Sequence, residues 1–326
     1  MLVTRHSAFS ISAAVAAVGL VAATATAQTV ELRYKWTKDD VLEYRMTLHT
    51  TSDVSGVPGR DDTRTEQTVT QRITLTVAGV GPSGAATVNE TVNEIRSELK
   101  TPTGTVVVDT ANPSETSNDP VAETMSKMLA AVVGQPITIV LGPDGTVRSV
   151  GGGSRLLERI LEAGNASRDS AAASQALSSL YSDDALRSML EQSFPKLPPQ
   201  PVKPGDTWSS QIPLGNQTIG RIRAALTFTL KTVEGAVGAE RAHVAAAMTL
   251  TQDVKPPPAG ATRVTLTLGD SRGEGDLAFD VARGRIVRSE MRTDMPSTVG
   301  MMGPRGTPMT FKNLVKTTAT MELIEK

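Results

Sequence analysis

"VELRYKWTKDDVLEYRMTL", residues 30 to 48, holds two runs of strict alternation separated by a short polar turn. Val30, Leu32, Tyr34 and Trp36 fall on one face of the first run, with Glu31, Arg33 and Lys35 on the other. The second run aligns Leu42, Tyr44, Met46 and Leu48. Successive side chains of a strand point to opposite faces, so a period of two with one wet and one dry face predicts antiparallel strands. "ITLTV" (73–77), "LTFTLK" (226–231), "VTLTL" (264–268), "VRSEMRTDM" (287–295) and "VKTTATMEL" (315–323) repeat the pattern, the fourth with Met291 and Met295 inward. "GPSG", "GPDG", "ARGR" and "GPRG" supply the turns. The expected fold is therefore mainly antiparallel β, a twisted or half-barrel-like sheet.

The centre of the chain breaks this rhythm. "NDPVAETMSKMLAAVVGQP" (118–136) offers Asp119 as an N-cap, Pro120 at the first helical position and Gly134 just past the end. Val121, Met125, Met128, Leu129 and Val132 share its predicted inner face. "SRLLERILEAG" (154–164) predicts a second helix with Leu156, Leu157, Ile160 and Leu161 inward. "SAAASQALSSLYS" and "DDALRSMLEQSF" predict one or two more, the last carrying Leu186, Met189 and Leu190. "PKLPPQPVKPG" (195–205) then ends helical structure, because proline removes a donor and fixes φ.

These boundaries predict a cleaved signal peptide over 1–27 and one β-rich domain over 28–326. The domain comprises an N-terminal β unit (28–117), a central α-helical insert covering one face (118–195), a linker (196–205) and a C-terminal β unit (206–326). The leader has a polar start at Arg5 and His6, the apolar "ISAAVAAVGLVAA" (11–23) and small residues at Ala25 and Ala27. Its apolar stretch is shorter than the ~20 residues a membrane span needs, so no transmembrane anchor is expected after cleavage. Export to a periplasm or the exterior follows, and the chain has no cysteine for a lipid anchor or a disulfide.

A weak internal repeat supports a duplicated β unit. Asp40 and the strand from Leu42 match Asp206 and the strand from Trp208, and "GPDGTVRSV" (142–150) resembles "VARGRIVRSE" (281–290). Chance likeness between amphipathic strands is the competing explanation.

Charge and composition exclude some partners. A net charge of −1 with 3% aromatics gives neither the basic face nor the stacking rings that nucleic acid requires. No cofactor motif is present, and none is expected. His49 and His243 lack an accompanying "GxSxG" elbow, leaving a hydrolase as a remote alternative. Asp270, Glu274 and Asp276 lie in an acidic, glycine-rich stretch where calcium competes with a plain polar hairpin.

Methionine adapts to irregular shapes, so a sheet covered by Met/Leu helices suits a hydrophobic or amphipathic ligand. Trp36, Met125, Met128, Leu129, Leu157 and Trp208 are the expected lining of such a space. Met301 and Met302, in the connection "PSTVGMMGPRGTPM" (296–309), are the expected contacts of a cell-envelope protein partner if the molecule is instead a structural or interaction module.

"PITIVLGPDGTVRSV" (136–150), "FPKLPPQPVKPGDTW" (194–208) and "GEGDLAFDVARGRIVRSEMRTDMPS" (273–297) resemble an uncharacterised family of exported bacterial proteins, a domain of unknown function preceded by a signal peptide. That resemblance implies membership but transfers no catalytic residue. More loosely, long antiparallel strands with helices against them resemble periplasmic lipoprotein carriers.

Overall fold

The computed structural model describes residues 29–163, 181–214, 221–253, 265–302 and 308–324. The expected signal peptide and most of the helix expected over 170–182 lie outside the described residues. All thirteen described strands join one open antiparallel sheet. The first half supplies β1 (Val41–Ser55), β2 (Thr63–Val80), β3 (Ala86–Thr101), β4 (Gly104–Asp109), β5 (Pro136–Leu141) and β6 (Val147–Gly151). The second supplies β7 (Thr207–Leu214), β8 (Arg221–Glu234), β9 (Arg241–Asp253), β10 (Thr265–Leu268), β11 (Ser271–Asp280), β12 (Arg285–Met302) and β13 (Pro308–Leu323). The order is β6-β5-β3-β2-β1-β13-β12-β11-β9-β8-β7, with β4 beside β3 and β10 beside β12.

The strands matched by the internal repeat run in the same order in each half: 6-5-3-2-1 on one side, 12-11-9-8-7 on the other, with β13 at the seam. Their entry turns share a hydrogen-bond pattern. Asp39 N donates to Val77 O and Val77 N to Asp40 O; in the second half Gly205 N donates to Leu230 O and Leu230 N to Asp206 O. Both turns need a positive φ, 70° at Asp39 and 96° at Gly205. Leu42 and Trp208 are therefore equivalent positions, and Trp36 has no tryptophan counterpart.

The alternation at 30–36 produces burial without a strand. Val30, Leu32 and Tyr34 are buried, but apart from a single bridge between Val30 and Val202 the segment joins no ladder. It runs between two turns of the sheet instead, with Tyr34 N bonded to Pro143 O (2.8 Å) and Lys35 N to Gly284 O (3.1 Å). Both acceptors lie in the matched glycine turns. At Gly145 (φ 83°) a Cβ would come within 2.9 Å of the Tyr34 ring and 2.6 Å of Pro195 O, and at Gly284 (φ 62°) it would strike the backbone of Lys35. Glycine is required at each turn for its φ and for this close approach.

Three helices are described: α1 (Pro120–Val132), α2 (Gly153–Ala163) and α3 (Asp183–Ser193). Asp119 caps α1 as expected, accepting from Val121 N and Ala122 N. The helices do not form one layer. α1 and α2 pack on each other, with α1 also against β4, burying Ala131, Leu156 and Ile160 in a satellite cluster. Val121, expected inward, is 58% exposed, and the buried positions of α1 are Ala122 and Ala131. α3 alone reaches both sheet edges, contacting β6 and β7. It buries Leu186 and Leu190 at an i, i+4 spacing and leaves Met189 exposed.

Candidate functional site: a polar-edged cavity beneath the N-terminal segment

The main core runs through both halves. Leu75, Val77 and Val88 join Leu226, Phe228 and Leu230 through Tyr34, Phe194 and Phe279. Tyr34 meets Phe194 and Phe279 edge-on and stacks on Trp36 at 5.8 Å. Within this aromatic knot lies a cavity of about 20 Å³, room for roughly one or two waters at ~10–15 Å³ each. Its apolar wall comprises Tyr34, Trp36, Tyr44, Met46, Ile73, Leu75, Phe194, Ile286 and Met321, and Glu90, Ser193 and Arg285 complete it.

The polar groups of this wall are incompletely served. Trp36 Nε1 and Arg285 Nε are buried donors without an acceptor. Glu90 sits on the inner face of β3 between Leu75 on β2 and Ile137 on β5, and among the described residues its carboxyl has no hydrogen bond or ion pair. Loss of hydration raises its carboxyl to about 7. The two tyrosines are satisfied: Tyr44 Oη donates to Ile286 O (3.1 Å) and Tyr34 Oη to Pro195 O (3.3 Å). Burial holds both phenols protonated, with the Arg285 charge opposing the shift at Tyr44.

Two further spaces adjoin. About 70 Å³ lies between the end of α3 with residues 195–196 and the inner side of the second half, against Ile212, Leu226, Phe228, Leu277 and Met291. An outer recess of about 270 Å³ is lined by Val41, Leu42, Glu43, Arg283, Arg285, Leu323 and Ile324. Arg285 borders both the recess and the small cavity. Beyond the core, the inner face continues through half-buried Met46, Met291, Met295, Met248 and Leu268.

The six residues expected to line one space do not converge. Trp36 borders the small cavity. Trp208 lies in the core of edge strand β7, 9% exposed, stacked on Phe228 at 5.5 Å with Nε1 donating to Lys196 O (2.8 Å). Met128 packs in the α1–α2 cluster, and Met125, Leu129 and Leu157 are half-buried on those helices. The separation has a physical cause: α1 packs on β4, beside β3, while β7 ends the far side of the sheet. Met301 and Met302, expected in a connection, belong to strand β12 opposite Met309 and Pro308. Met301 is 38% exposed.

The other candidates lie away from these spaces. His49 Nδ1 pairs with Thr68 Oγ1 at 3.0 Å, and His243 Nε2 approaches Glu234 at 3.7 Å, both on exposed ground. Neither lines the three spaces above. Asp270 pairs with Arg272, and among the described residues no group of three His, Asp or Glu side chains is placed to hold a metal ion. No described helix is long and apolar enough to cross a membrane.

Glu90 and Arg285 are not among the residues expected at the site. In "ATVNETVNE" (86–94), Glu90 occupies the row of Ala86, Val88 and Val92. A carboxyl in an inward row was the available signal.

The model of a family of unknown function, DUF6263, matches residues 83–264. The chain belongs to this family. The match spans the helical insert and both edge strands, including two of the three stretches that carried the resemblance. No curated protein sequence matches the chain. Among solved structures, lipovitellin, studied for its lipid–protein interactions, aligns over 89% of this chain and 26% of its own at 9% identity and a TM-score of 0.47. This chain thus spans about a quarter of lipovitellin. DynF of the dynemicin pathway of Micromonospora chersina aligns over 90% and 85% at 10% identity and a TM-score of 0.19. The COG4313 outer membrane channel of Pseudomonas putida F1 aligns over 89% and 97% at 7% identity and a TM-score of 0.24.

Proposed function

We propose that this DUF6263 member is an exported, non-enzymatic protein of the periplasm or exterior that binds a hydrophobic or amphipathic molecule on the inner face of its sheet. The observation that carries this reading is the incomplete cover of that face. The row Met46, Met291, Met295 and Leu268 stays half-buried beyond the core. A space of about 70 Å³ opens under the end of α3, and Arg285, on the wall of the small inner cavity, also borders the outer recess of about 270 Å³. Drug-sized ligands occupy roughly 300–1,000 Å³, so binding requires an elongated molecule lying along the face or a shift of the elements that cross it. The crossing elements are α3 and the segment 30–36, which is tied to the two glycine turns by Tyr34 N and Lys35 N and to its surroundings by the Val30–Val202 bridge and the Arg33 and Lys35 side chains.

Native mass spectrometry of full-length protein purified from its own envelope tests this. A copurifying small molecule, released by denaturation and extracted into organic solvent, is expected. Bare polypeptide throughout, with no uptake of added long-chain amphiphiles, would refute the reading.

A further inference from the structure

Resting on that reading, we infer that the ligand carries an anionic oxygen head, a carboxylate or phosphate on an apolar chain, and that Arg285 and Trp36 receive it. Two buried N–H donors without acceptors share one wall. A buried donor left without an acceptor is costly, and an acceptor oxygen brought to these two removes that cost. A second donor-bearing group would leave both unsatisfied, and Arg285 would repel a cationic head.

The surroundings supply the rest of an amphiphile's requirements. Among the described residues Arg285 forms no ion pair. Arg285 borders the outer recess, whose wall combines the apolar Val41, Leu42, Leu323 and Ile324 with the charged Glu43 and Arg283. A chain lying in that recess places its head at Arg285, at the boundary of the small cavity. The titratable groups around the cavity are Glu90, Arg285, Tyr34 and Tyr44, and both phenols stay protonated near neutral pH. Glu90 is the group that changes charge there. Neutral, it adds a third donor; ionised, it repels the head.

Isothermal calorimetry on the full mature chain, with laurate, dodecanol and dodecyltrimethylammonium as probes, tests the inference. Laurate is expected to bind at least about tenfold more tightly than dodecanol, with the cationic probe weakest. Arg285→Met removes the laurate advantage, bringing laurate to about the affinity of dodecanol. Arg285→Lys, which keeps the charge, retains part of the advantage and guards against a folding defect in the first variant. Between about pH 6 and pH 8, laurate binding weakens several-fold in the wild type and not in Glu90→Gln. Equal affinity for laurate and dodecanol, unaltered by Arg285→Met, would overturn the anionic head and leave the apolar ligand standing. Binding of no probe would overturn both.

Discussion

The two tryptophans occupy opposite situations within one repeated architecture. Trp208 begins the first strand of the second half, its ring stacked on Phe228 and its N–H satisfied by Lys196 O. Trp36 precedes the first strand of the first half, half-buried on Tyr34, with its N–H aimed at no acceptor. Polar groups that only hold a fold are satisfied within it. On the proposed reading, Trp208 belongs to the framework and Trp36 to the ligand site, a contrast that can be broken experimentally.

The largest expected effect lies at Trp208. Trp208→Ala should destabilise the protein by about 3–5 kcal/mol, the usual cost of emptying a large aromatic position in a core. Trp36→Ala should cost less, because its ring is partly exposed and no hydrogen bond is lost. Urea midpoints of the two variants measure the difference, and equal losses would erase the distinction.

Glu90 gives the next effect. Its folded carboxyl is raised to about 7 by desolvation, so the native state binds a proton that the unfolded state releases at lower pH. Stability tied to Glu90 is therefore complete below the unfolded value and is lost as pH rises toward and through 7, by up to about 3 kcal/mol. Glu90→Gln should flatten that decline, so the variant gains on the wild type at alkaline pH. Parallel stability curves from acid to alkaline conditions would contradict the account.

The equivalent entry turns give the smallest effect. Asp39→Gly should stabilise by up to about 1 kcal/mol, because glycine adopts positive φ without the penalty of a side chain. Gly205→Ala should destabilise by about as much. Thermal melts that moved in the same direction for both variants would break the equivalence of the turns.

Much of the architecture was legible because alternation and turn chemistry are local. The Asp119 cap, the strand pattern and the match of Leu42 with Trp208 all follow from short stretches. The segment 30–36 shows the limit: its period of two correctly places Val30, Leu32 and Tyr34 inside, yet periodicity reports burial and not pairing. Whether such a run joins a ladder depends on a free strand edge, and β1 is already flanked by β2 and β13. The candidate site was less accessible still. Arg285 and Glu90 are separated by nearly two hundred positions and meet the same cavity only because β13 closes the seam between the halves. The Met/Leu helices drew attention to α1 and α2, whose apolar faces are spent largely on each other.

On the proposed reading an amphiphile binds beside Trp36. Trp208→Phe leaves Trp36 as the sole indole, and its fluorescence can be followed as brominated laurate is added. Saturable quenching is expected, competed away by unbrominated laurate and shifted to about tenfold higher probe concentration by Arg285→Met. Calorimetric binding of the same probe with Trp36 emission unchanged would contradict it.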